Sequence, residues 1–105
     1  MGYEYHLAFA EPAWYPANRE RLAGWVRALP RVVADFPGIE LRLKDATVPN
    51  PWSYDLRLFL LPDRVALEVS GRTATYRVDV RDMLDWIRRE TPVTLIDDDT
   101  DEVAM

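Results

Sequence analysis

Residues 54–78, YDLRLFLLPDRVALEVSGRTATYRV, decide how the chain is read. In residues 54–61, Leu56, Leu58 and Leu60 alternate with Arg57 and Phe59, the period-two pattern of a strand with one face buried. Pro62-Asp63 supplies a tight turn into Val65, Ala66, Leu67, Glu68 and Val69. Ser70-Gly71-Arg72 turns again into residues 73–78, where Thr73, Thr75 and Arg77 alternate with Ala74, Tyr76 and Val78. Three strands joined by short turns predict an antiparallel meander.

Moving toward the N-terminus, residues 39–43 carry the same signal, with Ile39, Leu41 and Leu43 set against Glu40, Arg42 and then Lys44. Leu22, Trp25, Val26 and Leu29 fall at i, i+3, i+4 and i+7, the stripe of an amphipathic helix, and Pro16 suits its first turn. Pro30 should end or kink this helix, with Val32, Val33 and Phe36 able to continue it helically beyond the kink. Tyr3, Tyr5, Leu7 and Phe9 alternate as a first strand. On the other side of the meander, Asp79 with Asp82 reads as a variant capping box opening a second helix, striped by Val80, Met83, Leu84 and Ile87. Thr91-Pro92 ends it, and residues 93–96 form a last strand.

The expected fold is therefore α+β: a predominantly antiparallel sheet in the order β-α-β-β-β-β-α-β, with two helices packed on one face. Residues 1–96 are expected to make a single domain and residues 97–105 an acidic, frayed C-terminal tail. Strand alternation places Arg42, Lys44, Arg57, Glu68, Thr73, Thr75 and Arg77 on the outer face of the sheet.

Composition narrows the chemistry. The chain has 105 residues, no cysteine and a formal net charge of -5. Phosphate binding depends on clustered cations, so nucleic acid is not the expected partner. No run approaches the ~20 apolar residues of a membrane span, and the opening residues carry neither a basic nor an apolar signal region. A cytoplasmic setting with no membrane contact is the expectation. Without cysteine there is no disulfide framework, thiolate metal site or cysteine nucleophile.

No catalytic or cofactor motif is present. His6 is the only histidine and has no HExxH or paired-histidine partner, so it reads as a polar-face strand residue. Asp97, Asp99 and Asp101 mimic the start of a calcium loop but lack its glycine and distal glutamate, so no metal is expected. The four glycines form no phosphate cradle, and no cofactor is expected.

What stands out is two aromatic-proline segments, Trp14-Tyr15-Pro16 and Pro51-Trp52-Ser53-Tyr54, the second flanked by Asp45 and Asp55. Trp and Tyr dominate binding hot spots because rigid rings contribute contact area at little entropic cost. Trp14, Tyr15, Trp52, Tyr54, Asp45 and Asp55 are therefore the candidate partner-binding residues, expected to come together. The function expected from these features is a non-enzymatic protein-binding module that covers a basic surface on a protein partner. The small, acidic, motif-free profile resembles in type the bacterial immunity proteins, which neutralise a cognate toxin by covering its active site; no motif carries residues over. The alternative is a small-ligand-binding or regulatory domain with an aromatic-lined pocket between sheet and helices. Homo-oligomerisation through uncovered apolar sheet is a further option.

Overall fold

The computed structural model describes residues 3–36, 40–47, 53–70, 74–99 and 101–103. Along the chain run β1 (Tyr3–Phe9), α1 (Trp14–Arg27), β2 (Val32–Phe36), β3 (Glu40–Leu43), β4 (Leu56–Leu60), β5 (Val65–Val69), α2 (Tyr76–Arg88), β6 (Val93–Asp97) and β7 (Glu102–Val103). The strands form one sheet in the order β2-β3-β4-β5-β1-β6-β7, and every pairing is antiparallel. The fold is α+β with the expected order of elements, followed by the short β7.

Two segments differ from their sequence reading. Residues 32–36 are a strand rather than a helical continuation: the β-branched pair Val32-Val33 suits a pleated surface, and the backbone pairs with β3 once the helix has stopped at Arg27. Residues 74–78 are not a strand. Tyr76 is the first member of a stripe completed by Val80, Met83, Leu84 and Ile87, all buried, and that helical period overrides the short alternation before it. Helix α2 therefore starts at Tyr76, with Thr75 at the N-cap position, rather than after an Asp79 cap, and Asp79 lies buried in its first turn. Ile39, Trp52, the 71–73 turn region and most of the 48–53 loop lie outside the described residues. The observed meander is β2-β3-β4-β5, one strand earlier than expected.

Cross-strand partners share a face, so register sorts the sheet into two sides. Leu41, Leu43, Leu56, Leu58, Val65, Leu67, Val69 and Leu95 are almost fully buried and face the helices, which contribute Leu22, Val26, Met83, Leu84 and Ile87. Both helices lie on this side, so among the described residues no element covers the opposite, open side. Helix α1 is fastened to the end of β4: the Tyr15 hydroxyl donates to Leu61 O at 2.6 Å, and the Arg19 Nε donates to Leu60 O at 3.0 Å. Arg88 Nε ties α2 to Val93 O at 3.1 Å. No helix among the described residues is long and apolar enough to cross a membrane.

Gly24 sits on the exposed side of α1, where an added Cβ would meet nothing within 4 Å. An interior helical glycine loses backbone entropy that alanine would not, so Gly24→Ala is expected to raise unfolding free energy by about 0.5–1 kcal/mol, read by urea denaturation. An unchanged or lowered midpoint would contradict this.

In the segment expected to be a frayed acidic tail, Asp97 Oδ1 accepts from the backbone N–H of both Asp99 and Asp101 at 2.9 Å. The chain then turns back, and Glu102 and Val103 pair with Ile96 and Leu95.

Candidate interaction face

The open side of the sheet is where polar chemistry collects. One cross-strand row runs Arg42, Arg57, Glu68, Glu4; the neighbouring row runs Phe36, Glu40, Phe59, Ala66, His6, Ile96, Glu102. These side chains are side by side because antiparallel register sets them opposite one another, not because they are close in sequence.

At the β2–β4 end, two guanidinium groups and three rings interleave. Arg42 lies over Phe36 at 5.1 Å and over Tyr54 at 6.0 Å; Arg57 lies over Tyr54 at 5.2 Å and over Phe59 at 4.8 Å. Glu40 holds both cations. Arg57 grips it with two bonds, Nη2 to Oε1 and Nε to Oε2, each 3.1 Å, and Arg42 Nε donates to the same Oε2. Glu68 is bonded by Tyr54 Oη–H at 2.7 Å and approached by Arg57 Nη1 at 3.4 Å. The Arg57 bonds hold the Glu40 carboxyl below the ordinary glutamate range against an opposing push from burial, with Arg42 adding to the effect. Glu40 in turn keeps Arg57 more firmly protonated than a free arginine. Burial, followed by the bond to Glu68, pushes the Tyr54 phenol up.

Toward β1, β6 and β7 the face changes character. Glu4 and Glu102 make no ion pair among the described residues. Between β5 and β1 lies a shallow depression of about 310 Å³, bordered by Glu4, His6, Phe59, Ala66, Glu68 and Asp98, with Arg64 also at its edge. His6 is therefore the polar-face strand residue expected from alternation, set beside carboxylates.

Among the described residues, the structure does not bring Trp14 and Tyr15 together with Tyr54. Trp14 stacks on Phe9 with ring centroids 5.7 Å apart and meets Trp86 edge-on at 6.4 Å, on the helix side of the sheet. Tyr15 is 1% exposed, stacked on Phe9 at 5.6 Å, and has no surface to offer a partner. Tyr54 lies on the open side, before the start of β4, whereas Tyr15 reaches the residue after its end. Those points are roughly 20 Å apart along an extended strand. Trp52 lies outside the described residues.

Asp45 and Asp55 meet each other, but as loop scaffolding. Asp45 N–H donates to Asp55 Oδ2 at 2.6 Å, while Asp45 accepts from Thr47 N–H at 2.9 Å and Thr75 Oγ1–H at 2.8 Å. The Thr47 hydroxyl, then that of Thr75, holds the Asp45 carboxyl below its ordinary range. Asp55 is buried, and its Oδ1 has no hydrogen-bond partner among the described residues. Nearby, burial pushes the Asp79 carboxyl up, opposed by Arg31 Nη1 at 3.0 Å.

The expected location of a ligand pocket, between sheet and helices, is filled by Leu22, Val26, Leu56 and Ile87, each 0% exposed. Asp97, Asp98 and Asp99 gather carboxylates within 4.8 Å of one another at the exposed turn before β7, where the Asp97 carboxylate is already occupied in organising that turn.

Alternation had placed Arg42, Arg57 and Glu68 together on the outer face. Phe36, Glu40 and Phe59 were missed as functional residues; the only signal that could have found them was the register itself, which sets each opposite a charged or aromatic neighbour. Comparison with protein-family models, with curated proteins and with solved structures finds no match to this chain.

Proposed function

We propose that this chain is a non-enzymatic protein-binding module that uses the open face of its sheet to cover a basic surface on a partner protein, in the manner of an immunity protein that neutralises a cognate toxin. The observation that supports this reading is the side of the sheet opposite the helices: among the described residues no helix or strand layer covers it, and rings, guanidinium groups and carboxylates collect there. Arg42 and Arg57, partly exposed and held against Phe36, the buried Tyr54 and Phe59, have already lost rotamer freedom, so binding through them costs less ordering entropy than binding through loose side chains. The partner's charge follows from Glu4 and Glu102, which make no ion pair among the described residues, and from the net charge of -5, which steer a basic surface onto this face. A cytoplasmic setting goes with this reading, since the cysteine-free chain needs no oxidising compartment.

The test is co-expression with the basic product of a neighbouring gene. A complex that co-elutes in size exclusion, weakens with added salt and relieves any toxicity of the partner is the expected result. Glu102→Lys, a charge reversal on the rim of the face, is expected to weaken the complex about tenfold or more. Failure to form a complex, or a complex indifferent to Glu102→Lys and to salt, would remove the proposal.

A further inference from the structure

We infer that the depression between β1 and β5 is a socket for one cationic side chain, an arginine or lysine projecting from the partner. This inference rests on the protein-binding reading above and names the chemistry at its centre. The depression has about 310 Å³, close to the lower limit of ~300 Å³ for sites that enclose a small ligand. That is ample for one long side chain and small for a nucleotide or a peptide segment.

Its walls define the occupant. Phe59 and Ala66 supply an apolar base, matched to the methylene stem of a long cation. Glu4, Glu68 and Asp98 surround that base with carboxylates contributed by β1, β5 and the turn before β7. Glu68 is held in place, its Oε1 fixed by Tyr54 and its Oε2 by Arg57, so its remaining lone pairs are aimed without further ordering. Glu4 has no ion pair among the described residues. A planar guanidinium, with donors on several edges, can serve carboxylates on more than one wall at once.

Arg64 is the residue that separates this assignment from its opposite. It borders the depression on the exposed turn between β4 and β5 and makes no ion pair among the described residues. If the socket takes a cation, Arg64 opposes entry. If it takes an anion, Arg64 and His6 are the receptors.

The experiment is titration of the isolated protein with N-acetylarginine amide, followed by NMR shifts of the His6 ring and of the Glu4, Ala66 and Glu68 amides, with N-acetylaspartate amide as the opposite-charge probe. Arginine amide is expected to shift these signals saturably and aspartate amide to leave them unmoved. Glu4→Gln should weaken the arginine probe about two- to fivefold, and Arg64→Ala should tighten it by a similar factor. Ala66→Leu, which fills the base without altering charge, should abolish probe binding and weaken the partner complex about tenfold. Tighter binding of aspartate amide, or weaker binding of arginine amide in Arg64→Ala, overturns the inference. A complex that is weakened by Glu102→Lys but unmoved by Ala66→Leu also overturns the socket, while leaving the protein-binding reading intact. Probe binding without any complex would instead defeat that reading.

Discussion

Arg57→Ala is expected to lower the unfolding free energy by about 2–3 kcal/mol. Glu40 is 9% exposed, and Arg57 supplies two of the hydrogen bonds that satisfy its carboxylate. Removing one partner of a buried ion pair costs ~3–5 kcal/mol because the other charge stays buried. Here the cost falls below that range, since the Arg57 side chain is 24% exposed and Arg42 still reaches Glu40. Tyr54 and Phe59 also lose the guanidinium that lies over them.

The pH dependence carries a sign. The folded Glu40 carboxyl titrates below its ordinary 4.5, so its contribution is present above that value and is lost as pH falls through the folded value. Arg57→Ala should therefore flatten the acid limb of the stability profile as well as lower the plateau. Urea denaturation at neutral pH and near pH 3 measures both. A loss under about 0.5 kcal/mol at neutral pH, the usual worth of an exposed pair, would mean that the stacked face is not held by this arginine.

The second large effect belongs to the other side of the molecule. Trp86 stacks on Trp25 at 5.8 Å, meets Trp14 edge-on at 6.4 Å and lies beneath Arg21 at 5.5 Å. It joins α2 to both ends of α1. Truncating a buried tryptophan costs ~3–5 kcal/mol; because Trp86 is half-buried, Trp86→Ala is expected to cost about 2–3 kcal/mol, part of it from lost ring pairing rather than area. The same variant should bind the partner within about twofold of the parent under conditions where it stays folded, because the open face is on the other side of the sheet. Denaturation midpoints and complex affinity are measured together. Lost affinity with unchanged stability would move the working surface to the helix layer.

How much of this was legible beforehand differs from element to element. Strands β4 and β5 could be read directly, because Leu56, Leu58 and Leu60 and then Val65, Leu67 and Val69 each mark one face without interruption. The same alternation put Arg42, Arg57 and Glu68 on one side. Residues 32–36 were ambiguous because a short apolar run following a helix fits either period, and only pairing with β3 decides it. Tyr76 reads as a strand residue because its two-residue alternation is local, whereas its helical partners, which place it in α2, extend to Ile87. The aromatic pairs were conspicuous as residues but not as positions. Whether Tyr15 folds inward depends on Phe9 and Leu61, and the second of these is 46 positions away. Glu40 became recognisable as a hub only when β3 and β4 were in register.

The placement of β1 bears on the order in which the molecule assembles. This strand is made before its neighbours, yet it sits between β5 and β6, pairing Tyr3 with Val69 and Phe9 with Val93. The β2–β5 meander can form from short-range contacts as soon as it is synthesised, whereas β1 must close a long loop to reach β5 and must then wait for β6 on its other edge. Closing those long loops is slow, and until it happens one edge of β5 stays unpaired. The wall of the proposed socket that carries Glu4 and His6 would thus join the open face after the β2–β5 meander, and Asp98 later still, so a partner that needs both could not be captured by an incompletely made chain.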